Sequence, residues 1–372
     1  MILRRLSLPL SLSLSTAALA MAGLLASAPA TAADNGEPGK VTSAAARAIG
    51  AVRLDADMKA VLAAQAALHP KAMEKLTPFE ARQQPGIADA VAAVLQQQHR
   101  STDPAVLLAG ITAQDVTLQG PAGLLPARVY TPDGPGPFPV VVYFHGGGWV
   151  IADKQAYDAS ARGIAQAANA VVVSVDYRQA PENKFPAAWD DAFSAYKFVA
   201  QHAAELKGDP SRLALAGESA GGNLAVATAL AARDANVTKP LHVLAIYPVA
   251  QTSLNTPSYI ENAIARPLNR AMMRWFLAQA TSAPDDLQDP RLDLVKADLH
   301  GLPPVTIINA RVDPLRSDGA QLATALRKAG VQVERKVYPG VTHEFFAAAA
   351  VVAKAVQAQA YAGQRLKGAF GH

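Results

Sequence analysis

The 372-residue sequence contains no cysteine. That absence removes disulfides, thiolate nucleophiles, cysteine-ligated zinc and a bacterial lipoprotein anchor together. Histidines are present but scattered, with no HExxH or comparable ligand spacing, so no metal is implied. No cluster of Lys and Arg interleaved with aromatics stands out, which argues against nucleic acid despite a formal charge of +4. No internal repeat is visible.

The composition otherwise fits a globular chain. Hydrophobic residues make up 51% and charged residues 17%, and the length is enough for one large core plus an added cap. The N-terminus has a different character. Met1 to Arg5 is short and basic, residues 6–25 form an apolar run diluted by serine, and Ala30-Thr31-Ala32 offers small residues for cleavage. Pro9, the serines and Thr16 weaken the run as a stable membrane span. The expectation is a cleaved signal peptide over residues 1–32, export to the periplasm or the medium, and no stable membrane insertion afterwards. Arg4-Arg5 raises a twin-arginine route, but the surrounding residues match it poorly, and the choice against the general route stays open. Loss of Arg4 and Arg5 with the signal lowers the net charge from +4 to +2.

Residues 44–68 and 87–100 carry apolar side chains at helical spacing, with Pro70, Pro78 and Pro85 between them. They predict an N-terminal helical cap region within 33–110. From about Asp115, β-rich runs alternate with helical ones. Strands are expected at 116–119, 127–130, 139–144, 170–176, 212–216, 242–247, 305–309 and 331–337. Helices are expected at 156–168, 187–203, 220–233, 318–329 and 345–366. Such alternation implies an α/β fold with a mostly parallel central sheet covered on both faces. Residues 251–298 break the pattern, with a helical patch at 268–280 between Pro-rich loops, and read as an insertion over the sheet. The catalytic domain is thus expected to span 111–372.

Gly217-Glu218-Ser219-Ala220-Gly221 follows an expected strand and opens an expected helix, the context of a nucleophile elbow. The small residues two positions either side of Ser219 let a sharp turn close, and a helix N-terminus favours negative charge. The competing reading, a serine that merely caps the helix, leaves the strand–turn–helix context unexplained. His145-Gly146-Gly147-Gly148-Trp149 leaves the end of the third strand. Glycines there let backbone N–H groups approach a reacting carbonyl oxygen. Gly147 and Gly148 are the preferred oxyanion-loop donors, Gly146 is a weaker candidate, and the N–H of Ala220 supplies the remaining donor. The loop completes neither GxGxxG nor GxxxxGK(S/T), so a phosphate cradle is excluded. His145 reads as a structural residue that fixes the loop.

A serine hydroxyl needs a base, and the base a carboxylate. In a fold with the nucleophile on such an elbow the chain order is Ser, then Asp or Glu, then His. Four histidines follow Ser219. His242 lies in an expected strand, His300 in a loop and His372 at the end, whereas His343 follows the last strand just before the final helix. Asp313 follows the strand at 305–309; its rival Asp318 reads as the start or cap of the next helix. The expected catalytic set is Ser219, His343 and Asp313. Glu218 is set aside as the acid because its side chain leaves the elbow in another direction.

With these residues assembled, the chain resembles the bacterial hormone-sensitive-lipase family of carboxylesterases, over residues 116–366. The resemblance rests on HGGGW at 145–149, YRQAPENKFPAAWDD at 177–191, GESAGGNLA at 217–225, DPLRSDG at 313–319 and GVTHEFF at 340–346. It implies an α/β-hydrolase fold, hydrolysis of short- to medium-chain carboxylic esters, no cofactor, and a cap built from N-terminal helices and an insertion. Three departures stand out: Glu218 where Asp is commoner, Gln179 where Leu is usual, and Glu344 where Gly is common. The 177–191 segment is expected to brace the site. The expected partner is a small-molecule ester, and a homodimer is left open. A non-catalytic binding protein on the same fold would lack a triad member, and none is missing. Triad chemistry alone does not separate an esterase from an amidase, a peptidase or a polysaccharide deacetylase.

Overall fold

The computed structural model describes residues 54–371. The expected signal peptide, with Ala30-Thr31-Ala32, and the first part of the expected helix at 44–68 lie outside the described residues. The described chain begins with helix α1 (Ala56–Ala67), the short turns α2 (Pro78–Ala81) and α4 (Pro104–Leu107), and α3 (Ile87–Gln97) between them. A hairpin of β1 (Ile111–Gly120) and β2 (Gly123–Pro132) then leads into β3 (Phe138–Phe144), α5 (Asp158–Ala168), β4 (Val171–Val175) and α6 (Ala187–His202). The chain continues through β5 (Gly208–Glu218), α7 (Ala220–Asp234), β6 (His242–Ile246), β7 (Val305–Val312), α10 (Arg316–Lys328), β8 (Val333–Thr342) and α11 (Ala353–Phe370). Between β6 and β7 the expected insertion contains α8 (Pro257–Glu261) and α9 (Arg270–Ala280).

The strands form one eight-stranded sheet in the order β1-β2-β4-β3-β5-β6-β7-β8. Only the pairings that β2 makes, with β1 and with β4, are antiparallel; every other neighbouring pair is parallel. The pleat divides the core in two. Val140, Val142 and Phe144 of β3 enter one apolar cluster, which includes α6, α7 and α10. Val141 and Tyr143 enter the other, with α1, α3, α5 and α11. All seven residues of β3 are buried, as expected for a strand covered on both faces.

Two boundaries differ from expectation in ways that matter to the site. The last strand does not stop near residue 337 but runs through Pro339 to Thr342. It lies at the sheet edge, where a proline costs no interior ladder hydrogen bond. The final helix does not begin at 345. The chain takes a 3-10 turn over Phe345–Ala348, with Phe345 and Phe346 both buried in the core, before α11 starts at Ala353.

Candidate active site

Sheet register brings the sequence-predicted residues together. Ser219 leaves the end of β5 directly before α7, with φ 57° and ψ −116°. A non-glycine residue held in such backbone costs on the order of 1–3 kcal/mol and persists only where its surroundings over-determine it. Here the Ser219 N–H donates to the Ile246 carbonyl at 2.9 Å, and its carbonyl accepts from Asn223 and Val249 N–H at 3.2 and 3.1 Å. The flanking glycines are required by space. A Cβ on Gly217 would lie 2.1 Å from the Gly221 carbonyl oxygen, and one on Gly221 would lie 2.0 Å from that of Phe144.

His343 follows β8 and is buried with Asp313 and Ser219. Its Nδ1 lies 2.8 Å from Asp313 Oδ2, and its Nε2 lies 3.0 Å from Ser219 Oγ. A carboxylate only accepts, so Nδ1 carries the proton and Nε2 is left to accept from the serine hydroxyl. The other Asp313 oxygen accepts from Leu315 N–H at 2.8 Å, which fixes the carboxylate. Burial pulls the His343 pKa down. The Asp313 carboxylate, with smaller help from Glu344 and Glu218, outweighs that and leaves it above the ordinary histidine value.

Asp318, the rival acid, is elsewhere. It sits in the first turn of α10, where it accepts from Ala250 N–H and the Gln251 amide, and burial holds its carboxyl well above the usual range. His242 hydrogen-bonds Thr306 inside the sheet, and burial pushes its pKa down to about 4. His300 pairs with Asp298 on the surface, while His372 lies outside the described residues.

The glycine loop flanks the nucleophile. Gly147 and Gly148 have φ of 95° and 60°, and both line the same cavity as Ser219 and His343. Gly146 is not among the residues that line the cavity, and a Cβ there would come 2.3 Å from the Tyr157 hydroxyl oxygen. Ala220 is buried at the start of α7. His145 donates from Nδ1 to the Gly146 carbonyl at 2.8 Å and stacks on Tyr177 with ring centroids 4.4 Å apart. The Tyr177 hydroxyl donates in turn to the His145 carbonyl at 2.9 Å. The 177–191 segment braces the loop further: Gln179 donates to the Ile151 and Ala152 carbonyls, and Arg178 is clamped by buried Asp191 at 2.8 Å.

Three features had no sequence signal. The first is the setting of Glu218, which is wholly buried and accepts hydrogen bonds from the Tyr143 hydroxyl at 2.6 Å and from the Tyr247 hydroxyl. Burial raises its pKa, and the tyrosine hydrogen bonds partly oppose that rise. Tyr247 also sits 4.6 Å from His343, ring centroid to ring centroid. The second is Arg82, which reaches from the N-terminal region to donate to the Val150 and Ala180 carbonyls at 2.8 Å and to pair with Glu182. The third is the Tyr157 hydroxyl, which donates to Glu344 at 2.9 Å. Tyrosines and an arginine of this kind read from sequence as core or surface residues, because their partners are 29 to 187 positions away.

The cavity over Ser219 has a volume of about 680 Å³. One wall is apolar, with Leu268, Met272, Met273 and Phe276 from the insertion; the other, with Gln65, Gly86 and Asp89, comes from the N-terminal region. Among the described residues, no group of three or more His, Asp or Glu side chains is arranged to hold a metal ion.

A strand–serine–helix elbow, an acid–base–serine relay and a glycine loop at the ends of parallel strands define an α/β hydrolase. A family model for the alpha/beta hydrolase fold matches residues 141–347. The carboxylesterase NlhH of Mycobacterium tuberculosis is 41% identical over 281 residues, 73% of this chain and 87% of the relative. Ethyl acetate hydrolase of Pseudomonas putida is 35% identical over 62% of this chain and 74% of its own length. Among solved structures, an esterase of Pyrobaculum calidifontis superposes with a TM-score of 0.74 at 34% identity, covering 82% of this chain and 97% of that one. The chain belongs to the α/β-hydrolase family, among its hormone-sensitive-lipase-like esterases.

Proposed function

We propose that the protein is a serine carboxylesterase that hydrolyses short- to medium-chain esters through Ser219, His343 and Asp313. The observation that carries this reading is the unbroken hydrogen-bonded line from Asp313 through His343 to Ser219, opening on a cavity beside Gly147 and Gly148. Neutral His343 takes the Ser219 proton at Nε2 as Oγ attacks the ester carbonyl carbon. The negative charge that develops on the carbonyl oxygen is met by the N–H groups of Gly147, Gly148 and Ala220. Loss of one such donor costs about 2.7–4 kcal/mol in comparable sites. The imidazolium then gives its proton to the departing alkoxide, and the acyl group stays on Ser219. Water attacks the acyl-enzyme as His343 accepts its proton, and the carboxylic acid and free serine result. Asp313 holds the imidazole tautomer and stabilises its cationic form throughout.

The acyl-length reading rests on the cavity. Its volume of about 680 Å³ is within the ordinary range for small-molecule sites, and the N-terminal helices and the insertion supply walls that act as a cap. Ethyl acetate hydrolase is a relative whose name points to a short acyl chain, and NlhH is named a carboxylesterase. The protein acts in the periplasm or outside the cell, after loss of its first 32 residues or so. A panel of nitrophenyl esters from two to sixteen carbons tests this directly. Turnover should peak at short or medium acyl chains and fall toward sixteen; a preference for long-chain emulsified triglycerides would refute it.

A further inference from the structure

Two of the departures from the esterase pattern, Gln179 and Glu344, line the substrate cavity, and only Glu344 brings a charge to it. Its backbone is left-handed, with φ 63°, the conformation that favours glycine and that a glutamate adopts at a cost. The turn places Glu344 in the cavity wall beside Ser219 and His343. Its Oε1 accepts from the buried Tyr157 hydroxyl at 2.9 Å, which anchors the carboxylate in place. Tyr157 in turn fills the space beside Gly146.

The charges around it are unbalanced. The other ionisable side chains among the described cavity-lining residues, apart from His343 and Tyr157, are Asp89, Asp153 and Arg82. Arg82 is the sole fixed cation of that set, and it is already engaged by Glu182 at 2.6 Å and by two backbone carbonyls. Asp89 accepts from Gly86 N–H, and Asp153 from Gln155 and Ala156 N–H. An ester entering the site therefore meets three carboxylates and a guanidinium whose charge is matched elsewhere. An anionic ester would also lose solvation on entering a partly enclosed site without gaining a partner.

We infer that Glu344 is a specificity-determining residue that makes the enzyme select neutral esters and reject esters carrying a negative charge. The inference rests on the esterase reading above and goes beyond it by setting the charge class of the substrate. A glutamate in glycine-favouring backbone carries a local cost, and its carboxylate lines the cavity that holds Ser219 and His343. At separations of about 8–10 Å and an effective dielectric near 20, one carboxylate should change the relative rate for a monoanion by roughly five- to tenfold after partial screening.

The test compares matched pairs on the full-length enzyme. 4-Nitrophenyl butyrate is set against the 4-nitrophenyl monoester of succinate, which places the charge on the acyl side. 4-Acetoxybenzamide is set against 4-acetoxybenzoate, which places it on the alcohol side. The neutral-to-anionic ratio of kcat/KM should fall about five- to tenfold in at least one pair for Glu344→Gln, which keeps an acceptor for Tyr157. Glu344→Gly, which also relieves the backbone, should lower it similarly, and added salt should shrink the wild-type ratio more than that of the variants, which keep Asp89 and Asp153. A ratio unchanged in both pairs, or one that moves only in Glu344→Gly, overturns the inference, since the second result would mean bulk and not charge. If the neutral esters themselves are not hydrolysed by the wild-type protein, it is the esterase reading that fails.

Discussion

Val312 and Thr342 face each other as a registered pair at the ends of β7 and β8, so that the residue following each, Asp313 and His343, leaves the sheet side by side. A register irregularity between Ala310 and Val312 sets that alignment. The geometry of the candidate site is therefore a property of strand pairing: two residues 30 positions apart in sequence end 2.8 Å apart through backbone register. Ser219 reaches the same place from β5, its N–H tied to the last residue of β6.

The raised pKa of His343 fixes the sign of the pH dependence. The imidazole must be neutral to accept the Ser219 proton, so kcat/KM should fall as pH drops through a midpoint above the ordinary histidine value of about 6.5. Burial alone would move that midpoint the other way; Asp313 is the main reason it does not. Asp313→Asn should lower kcat about 10³–10⁴-fold, because the amide can donate to Nδ1 and favour the wrong tautomer. A pH–rate profile that is flat between pH 5 and about 8 would contradict the role given to His343.

Glu218 supports the elbow from beneath, and its removal should register as lost stability. Glu218→Ala leaves the buried Tyr143 and Tyr247 hydroxyls without their acceptor and opens a cavity. Each unsatisfied buried group costs about 1–3 kcal/mol, so the two together should cost roughly 2–6 kcal/mol. The urea midpoint should drop with little change in slope. A stability within about 0.5 kcal/mol of wild type would show that this cluster contributes little.

Export should leave a trace in the mature chain. Mass spectrometry of protein recovered from the periplasm or medium should find a new N-terminus near Ala33. An intact Met1 on membrane-bound protein would refute the signal reading.

Much of the site was legible in the sequence because the elbow and the glycine loop impose local requirements. Gly217 and Gly221 are dictated by space, since a Cβ on either would lie 2.1 or 2.0 Å from a backbone oxygen, and such constraints leave a mark in a pentapeptide. Asp313 was separable from Asp318 because the latter falls in the first turn of a periodic helix. The full length of β8 was not legible: Pro339 reads as a strand breaker unless it is known that the strand lies at an edge, and that is a property of the assembled sheet. The same holds for Tyr143, Tyr247 and Tyr157. Their hydroxyls meet carboxylates 29 to 187 residues away, and nothing in an apolar strand or a helix start distinguishes a tyrosine that will do so from one that only fills space.

A single serine is assigned the chemistry. Ser219 is held in strained backbone, its hydroxyl is 3.0 Å from His343 Nε2, and Gly147 and Gly148 lie beside it on the cavity wall. A serine so placed should react with an organophosphate, because the phosphyl adduct resembles the tetrahedral intermediate. Peptide mapping after labelling should find one adduct, on the peptide containing Ser219. Ser219→Ala should abolish both the adduct and ester hydrolysis, and adding His343→Ala should cost little more, since members of such a unit do not contribute additively. An adduct on another serine, or a Ser219→Ala enzyme with wild-type turnover, would contradict that assignment.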